Sequence, residues 1–252
     1  MTVLCSIGTT HPWNLAGIGL DARVAARLRA RHVAVVAGVS AQEGGAWDRA
    51  PVAPALIQSQ MTAVRAAGID AIKIGALLAT ESVDAVVAGL RADDPPIVCD
   101  PVIAGSQGHI FADDATIEAL RRTLFPRCAL VTPNLAEASR LCGFPVNDRA
   151  TMAGAAHTLV ERDGAAAALV TCGHLACDDA TDVLYAGGKT IEFSGPRIDG
   201  TMRGTGCALA TAIAIGLGRK QSLGEAIERG RALVREALEH ASEWSGQRVW
   251  PW

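Results

Sequence analysis

Short runs of apolar, β-branched residues alternate with longer segments of helical periodicity, and this alternation constrains the fold more than any other feature of the sequence. It is typical of βαβ units arranged around a mostly parallel sheet. The predicted strands are Val3–Ile7, Val33–Val39, Ala71–Ile74, Ile97–Cys99, Ala129–Val131, Ala167–Val170 and a hairpin of Val183–Tyr185 with Thr190–Phe193. The sequence therefore predicts an α/β fold.

The segments between these runs have the spacing of helices. They are residues Gly19–Arg31, Pro51–Ala67, Ser82–Leu90, Asp114–Leu124, Asn134–Leu141, Ala150–Asp163, Gly206–Leu217 and Leu223–Ser242. No charge run, low-complexity linker or repeat interrupts the chain, so we expect a single domain over residues 1–252. In open sheets of this class, ligands bind beyond the carboxyl ends of the strands, and the residues there are the candidates for function.

Composition and charge limit the kinds of molecule that the chain can be expected to bind. Half of the residues are hydrophobic and 19% are charged, which excludes a disordered chain. The net charge is −3 and the basic residues are dispersed, so nothing indicates nucleic-acid binding. The seven cysteines form no CxxC pair, and no stretch is long and apolar enough to span a membrane. We expect a cytoplasmic protein with reduced cysteines that binds a small molecule.

The glycine-rich turn Arg203-Gly204-Thr205-Gly206-Cys207 runs directly into a helix of small apolar residues. Glycines allow the backbone to approach an anion closely, and the free N–H groups at a helix start favour a phosphate. A thiol in that first turn could act as a base or a nucleophile. The alternative is a structural glycine turn in which Cys207 is only a small apolar side chain. The chain has neither a P-loop nor a strand-linked GxGxxG, so a phosphate site here belongs to another fold.

Several further segments, taken with this turn, resemble the hydroxymethylpyrimidine/phosphomethylpyrimidine kinases among the ribokinase-like vitamin kinases. The matching segments are Ala16-Gly17-Ile18 with Asp21, the strand end at Gln42, Lys73-Ile74-Gly75, Asp100-Pro101-Val102, Thr132-Pro133-Asn134 with Glu137, and Cys172-Gly173-His174. The resemblance covers residues 5 to 240 in the family's order. It implies a ribokinase-like three-layer α/β/α sandwich with a central, mostly parallel sheet.

The resemblance also implies a role for each aligned position, including those at which this chain departs from the family pattern. The residues implied to take part in phosphoryl transfer are Cys207, Gly204, Gly206 and Arg203. The residues implied to bind ATP are Asp100, Asn134, Glu137, Thr171 and Thr205. Of these, Asp100 and Glu137 are implied to bind Mg²⁺ as well. The residues implied to bind the alcohol substrate are Gln42, Ala16, Gly17, Asp21, His11 and Ala76. For Asn134 and Glu137, a plain helix cap explains the spacing equally well.

The departures from the family pattern fall on the site. His11 stands where the family has an aspartate, Thr171 where it has a lysine near the ATP phosphates, and Ala76 where methionine is usual. Arg203 could replace the lost positive charge, because a guanidinium binds phosphate through two bonds. Three functions remain open: the pyrimidine kinase, a kinase for another ring alcohol such as pyridoxal, and a ligand-binding relative with weak or no catalysis.

Two expectations concern partners. Relatives in this family are commonly dimers, so the resemblance implies a homodimer. The indole-rich C-terminal segment, with Trp250 and Trp252, could bind a partner, but such rings more often pack on their own domain or across a dimer.

Overall fold

The computed structural model describes residues 1–43, 46–105, 108–172, 179–198, 200 and 202–252. A nine-stranded sheet has the order β3-β2-β1-β4-β5-β6-β7-β8-β9. Its strands are β1 Val3–Thr10, β2 Arg31–Glu43, β3 Ala46–Pro51, β4 Ala71–Ile74, β5 Ile97–Cys99, β6 Leu130–Val131, β7 Ala167–Val170, β8 Asp182–Ala186 and β9 Lys189–Phe193. A separate hairpin joins β10 Ser242–Trp244 to β11 Gln247–Val249. The six strands at the centre of the large sheet are parallel, and β3, β8 and β9 pair antiparallel at its two edges.

The α-helices connect these strands. They are α1 Gly17–Arg27, α2 Pro54–Val64, α3 Thr80–Gly89, α4 Asp114–Ala119, α5 Leu135–Cys142, α6 Arg149–Glu161, α7 Thr205–Gly218 and α8 Leu223–Glu239. A π-helical turn at Leu120–Leu124 and 3₁₀ turns at Arg65–Ala67 and Phe125–Arg127 extend two of them. None of the helices in the described ranges is long and apolar enough to cross a membrane.

Each face of the sheet carries its own apolar core. Side chains of α2 to α6, such as Ile57 and Leu159, pack against one face. On the opposite face, Leu4 and Val98 of the sheet pack against α7 and α8, and Ala25 brings α1 into the same core. Helix α7 is buried along most of its length, because its small apolar side chains allow close contact with the sheet below and α8 above. The predicted three-layer α/β/α fold with a central, mostly parallel sheet is confirmed.

Several predicted boundaries are wrong, and the neighbouring strands explain three of those in the helices. The predicted helix from Pro51 begins only at Pro54, because residues 46–51 form β3 against the extended end of β2. The first helix ends at Arg27 rather than Arg31, since Arg31 already pairs with Val3 in the sheet. Helix α8 ends at Glu239, because Ser242 begins the C-terminal hairpin. The predicted hairpin with its turn at Gly187 and Gly188 is confirmed.

The order of the strands fixes where the chain's functional edge lies. After β1 the chain crosses to β2 on one side, and after β3 it returns to β4 on the other side of β1. In open sheets, ligands bind where the strand order reverses, at the carboxyl ends of the parallel strands. The loop after β1, the turns after β4 and β5, and the start of α7 meet at this edge.

Candidate active site

Helix α7 begins in a sharply turned loop. Gly204 is its N-cap residue and has φ +80°. A Cβ at this position would overlap the Leu15 carbonyl oxygen and the side chain of Leu20. Glycine is therefore required here both for the left-handed backbone and for the close approach of the loop after β1.

The N–H groups in the first turn of α7 have no hydrogen-bond acceptor among the described residues. The first intrahelical bond is donated by the Ala208 N–H to the Gly204 carbonyl, 2.9 Å away. The N–H groups before Ala208 have no partner within the helix, and the positive end of the helix dipole lies there. Gly206 is exposed, Gly204 and Thr205 are half-buried, and Cys207 is buried. The turn predicted to bind an anion thus has open amides at its tip.

The Cys207 thiol lies where the two sides of the site meet. The thiol is buried close to the Gly17 backbone N–H and to the Asp100 carboxyl group. Burial raises the pKa of the Cys207 thiol far above its usual range, although the Lys73 ammonium opposes that rise. The thiol is therefore neutral at physiological pH, and a role for Cys207 rests on its hydrogen bonds rather than on a standing thiolate.

A buried lysine supports the floor of this site. The Lys73 side chain is 1% exposed, and its ammonium lies 3.2 Å from Asp21 Oδ2 and 3.9 Å from Asp100 Oδ2. Thr211 of α7 donates to Asp21 Oδ1 at 2.8 Å. Burial alone would lower the pKa of the Lys73 ammonium, but Asp21, Cys207 and Asp100 hold that pKa well above its usual value. The cation ties α1, α7 and the end of β5 together.

Asp100 and Glu137 form a buried pair of carboxyl groups. Asp100 follows β5 and is 4% exposed, and its Oδ2 atom has no hydrogen-bond partner among the described residues. Burial raises the pKa of Asp100. Burial and the nearby charge of Asp100 raise the pKa of Glu137 to about 8. Two carboxyl groups of this kind repel each other in a low-dielectric site, and a divalent cation beside them relieves that repulsion.

The donor set suits Mg²⁺ better than a fully protein-bound metal. Across the described ranges, no three His, Cys, Asp or Glu side chains are grouped to hold a metal by themselves. Mg²⁺ in kinases is commonly bound by one or two carboxylates together with water and substrate phosphates. Asp100 Oδ2, which has no hydrogen-bond partner among the described residues and lies 3.9 Å from the Lys73 ammonium, is available as such a ligand. Gly206 lies beside the other oxygen of this carboxyl group, because a Cβ on that glycine would be 3.8 Å from Asp100 Oδ1.

Asn134 and Glu137 make a capping box at the start of α5. The Asn134 side chain accepts from the Glu137 N–H at 3.0 Å, and Glu137 Oε2 accepts from the Asn134 N–H at 2.9 Å. Glu137 Oε1 accepts from the Ile103 N–H at 3.4 Å. Both carboxyl oxygens of Glu137 are therefore engaged, and the helix-cap interpretation accounts for this pair. A role for Glu137 toward a metal stays a prediction, which fits a water-mediated contact better than direct ligation.

Thr171 lies at the end of β7, next to that cap. Its N–H donates to the Pro133 carbonyl at 2.9 Å, and an isolated parallel bridge joins it to Asn134. The predicted nucleotide-side residues Asp100, Asn134 and Thr171 thus stand at the ends of three parallel strands that are neighbours in the sheet. Thr205, the first residue of α7, is half-buried at the same edge.

His11 lies in the loop after β1 and hydrogen-bonds to the backbone of that same loop. Its Nε2 atom accepts from the Ala16 N–H at 3.1 Å, so this nitrogen carries no proton. Burial, followed by the positive charge of Arg203, lowers the pKa of His11 to about 4. The neutral ring holds Ala16 and Gly17 beside the phosphate turn. Positive charge at this end of the site therefore comes from the Arg203 guanidinium rather than from His11. His11 therefore shapes the loop rather than supplying a charge.

The other predicted substrate residues differ in how directly they face the edge. The Asp21 carboxylate is 1% exposed and is bonded to Lys73 and Thr211, so it supports the site from below. Ala76 is buried in a small apolar cluster with Leu78 and Phe111. The backbone of Gln42 lies in β2 opposite Trp47, and its side chain lies outside the described residues, as does His174.

Sequence reasoning did not assign a role to Lys73, although Lys73-Ile74-Gly75 was among the matching segments. A signal was present, because Lys73 lies within a strand that otherwise contains only apolar residues. A lysine is almost never fully buried unless a carboxylate pairs with it. Asp21 and Asp100 are those partners.

Comparison with known proteins decides the family. The family model described as phosphomethylpyrimidine kinase matches residues 14–251. The chain belongs to the phosphomethylpyrimidine kinase family. Within this family, a hydroxymethylpyrimidine/phosphomethylpyrimidine kinase of Rhizobium meliloti is 34% identical over 243 residues, which cover 95% of this chain and 91% of that protein. The resemblance stated from the motifs is confirmed.

One further relative and one solved structure show how far the likeness extends in sequence and in fold. The thiamine biosynthesis bifunctional protein ThiED of Geobacter sulfurreducens is also 34% identical, over 88% of this chain but 46% of its own length. This chain therefore spans about half of that bifunctional relative. Bacillus subtilis pyridoxal kinase, solved as an ADP complex, superposes with a TM-score of 0.90 over 99% of this chain and 97% of its own, at 23% identity. At that identity the likeness shows the shared fold.

Proposed function

We propose that this chain transfers the γ-phosphoryl group of ATP to the hydroxymethyl oxygen of 4-amino-5-hydroxymethyl-2-methylpyrimidine, its monophosphate, or both, in thiamin biosynthesis. The observation that carries the proposal is the open first turn of α7, with Gly206 exposed beside the Asp100 carboxyl group and the Cys207 thiol. Kinase relatives at 34% identity support the same reaction. An ADP complex of a protein with this fold supports ATP as the donor.

The amides of the first turn of α7 are the groups that stabilise the transferring phosphoryl. Phosphoryl transfer spreads charge over three oxygens, and catalysis depends mainly on fixed donors and on alignment. The N–H groups of Gly206 and Cys207 point out of the helix, where such charge develops. Arg203, half-buried and immediately before Gly204, adds a cation to the same turn. Burial lowers the pKa of Arg203, yet guanidinium groups remain charged in proteins.

Asp100 is the residue that would hold Mg²⁺, with Glu137 behind it. Mg²⁺ bound there neutralises charge on the phosphates of the nucleotide. Asp100 could not face a phosphate closely without a cation, because two negative groups would meet in a poorly solvated site. Lys73 offsets only part of this negative charge, since its ammonium also faces Asp21.

Cys207 positions the attacking alcohol. The sulfur of the neutral thiol can accept a hydrogen bond from the hydroxyl. As the new O–P bond forms, the hydroxyl proton passes to sulfur while the thiol proton passes to the neighbouring Asp100 carboxylate. A loose transition state demands little from a base, so this late proton relay through the thiol is sufficient. The loop of Ala16 and Gly17, held by His11, closes the substrate side, and Gln42 is proposed to contact the pyrimidine ring through its carboxamide.

The test of this proposal is product formation by the purified full chain. We expect Mg-ATP with the hydroxymethylpyrimidine to give its mono- or diphosphate, identified by mass spectrometry, and no product when either Mg²⁺ or ATP is omitted. Pyridoxal is the competing acceptor in a parallel reaction. Product from pyridoxal alone would support the other ring-alcohol kinase, and no product from either acceptor by folded protein would indicate a protein that only binds. The homodimer and the cytoplasmic location stay predictions.

A further inference from the structure

The C-terminal segment, residues 242–252, reaches the phosphate turn. Trp250 is 2% exposed, and its indole N–H donates to the Arg203 carbonyl oxygen at 2.9 Å. Arg203 immediately precedes Gly204, whose left-handed backbone begins α7. The bond therefore holds the peptide from which the open amides of the turn project.

The segment is itself anchored on α1. Arg23 donates from Nε to the Trp252 carbonyl at 2.9 Å and from Nη2 to the Trp250 carbonyl at 3.2 Å. The Arg27 guanidinium lies 5.3 Å from the centre of the Trp252 ring, and the two indoles meet edge to face at 5.6 Å. These contacts tie the segment to α1 through groups that are not part of the turn.

The apolar surroundings of Trp250 include the turn itself. Trp250 packs in one buried cluster with Met202, Cys207 and Leu20. Leu20 is also the side chain that a Cβ on Gly204 would meet. At the mouth of the site, Trp244 of the hairpin contacts Trp13 of the loop after β1, with ring centres 4.8 Å apart. The segment thus touches both loops that form the site.

We propose that Trp250 is a positioning residue of the phosphate turn, acting through the Arg203 carbonyl. The inference rests on the proposed function, because the turn it positions is the one that stabilises the transferring phosphoryl. A fixed donor contributes to catalysis only if the backbone around it is held before the reaction. Loss of the indole N–H frees the 203–204 peptide to rotate, and the amides at Gly206 and Cys207 then lose their fixed direction.

The chain supplies a matched control. Trp252 also lies in the segment and packs on Trp250, but its Nε1 atom has no hydrogen-bond partner among the described residues. Trp250→Phe and Trp252→Phe both replace an indole by a phenyl ring. Only Trp250→Phe removes a hydrogen bond to the turn.

The experiment compares kcat, KM and Tm for the two variants and the wild-type chain. For Trp250→Phe we expect kcat to fall on the order of 10-fold, with KM for the alcohol within about twofold, since the loss acts on the transition state. For Trp252→Phe we expect kcat within about twofold of the wild-type value at a comparable Tm. Equal kcat values for the two variants would overturn the inference while leaving the proposed function intact.

A second measurement keeps the inference testable without turnover. Hydrogen exchange of the amides of residues 204–207 should be faster in Trp250→Phe than in Trp252→Phe. If the wild-type chain transferred no phosphoryl group, the proposed function would fail, and the exchange rates would still decide whether Trp250 holds the turn. Equal exchange in the two variants would contradict the inference.

Discussion

Gly206→Ala should lower kcat/KM at least about 100-fold without lowering Tm, a loss comparable to removing an oxyanion donor. Gly206 is exposed in the first turn of α7, and an added Cβ would lie 3.8 Å from Asp100 Oδ1. That methyl group would occupy the space in which the phosphoryl group must approach both the amides and Asp100. Alanine is otherwise a better helix residue than glycine by about 1 kcal/mol, so folding is not expected to suffer.

Gly224→Ala is the matched control for this substitution. Gly224 is the second residue of α8, as Gly206 is the second residue of α7, and a Cβ at Gly224 meets nothing within 4 Å. Activity of Gly224→Ala should remain within about twofold of wild type. Steady-state kinetics and thermal unfolding of the two variants measure the effect of the methyl group at the turn. Unchanged activity in Gly206→Ala would contradict a phosphoryl site there.

Cys207→Ala should lower kcat about 100-fold, the lower end of the range for loss of an acid–base group. The lower end is expected because the buried thiol is neutral and the transition state demands little of a base. Alanine removes a thiol that can form hydrogen bonds with the Gly17 N–H and the Asp100 carboxyl group beside it. The measurement is kcat at saturating ATP and alcohol, with Tm to confirm folding.

Cys207→Ser tests whether the loss of those hydrogen bonds causes the expected fall in kcat. A hydroxyl can donate and accept in the same place, so Cys207→Ser should retain kcat within about 10-fold of the wild-type value. If Cys207→Ala kept full turnover, Cys207 would be a structural residue only. If serine were as damaging as alanine, the loss would belong to sulfur chemistry rather than to the hydrogen bonds.

The core strands could be predicted because each is a short apolar run flanked by helical segments. β4, β5 and β7 have the predicted bounds, since strands buried on both faces read as continuous apolar runs. β3 could not be predicted in this way. Its residues, Ala46–Pro51, pair with the end of β2 at the edge of the sheet and lie mostly exposed, so they carry little apolar signal.

The position of the phosphate turn was also readable from sequence, because glycines that open a helix of small residues have a local physical meaning. The long-range contacts that hold the turn in place could not be read from the sequence. The bonds of Asp21 to Lys73 and Thr211 join residues far apart in the chain, and so does the bond from Trp250 to Arg203. Such contacts depend on the order of the strands, which a motif does not encode. His11 likewise reads as a substitution on the substrate side, whereas its ring caps the loop at Ala16.

The central claim is that the first turn of α7 receives the transferring phosphoryl group beside Asp100. The most direct measurement is a crystal structure of the full chain with Mg-ADP, aluminium fluoride and the hydroxymethylpyrimidine, in which the fluoride complex takes the place of that group. We predict fluoride ligands within about 3 Å of the Gly206 and Cys207 amide nitrogens, with Mg²⁺ bound toward Asp100 and the hydroxymethyl oxygen facing Cys207. A fluoride complex bound away from the start of α7, with these amides facing only water, would contradict the account.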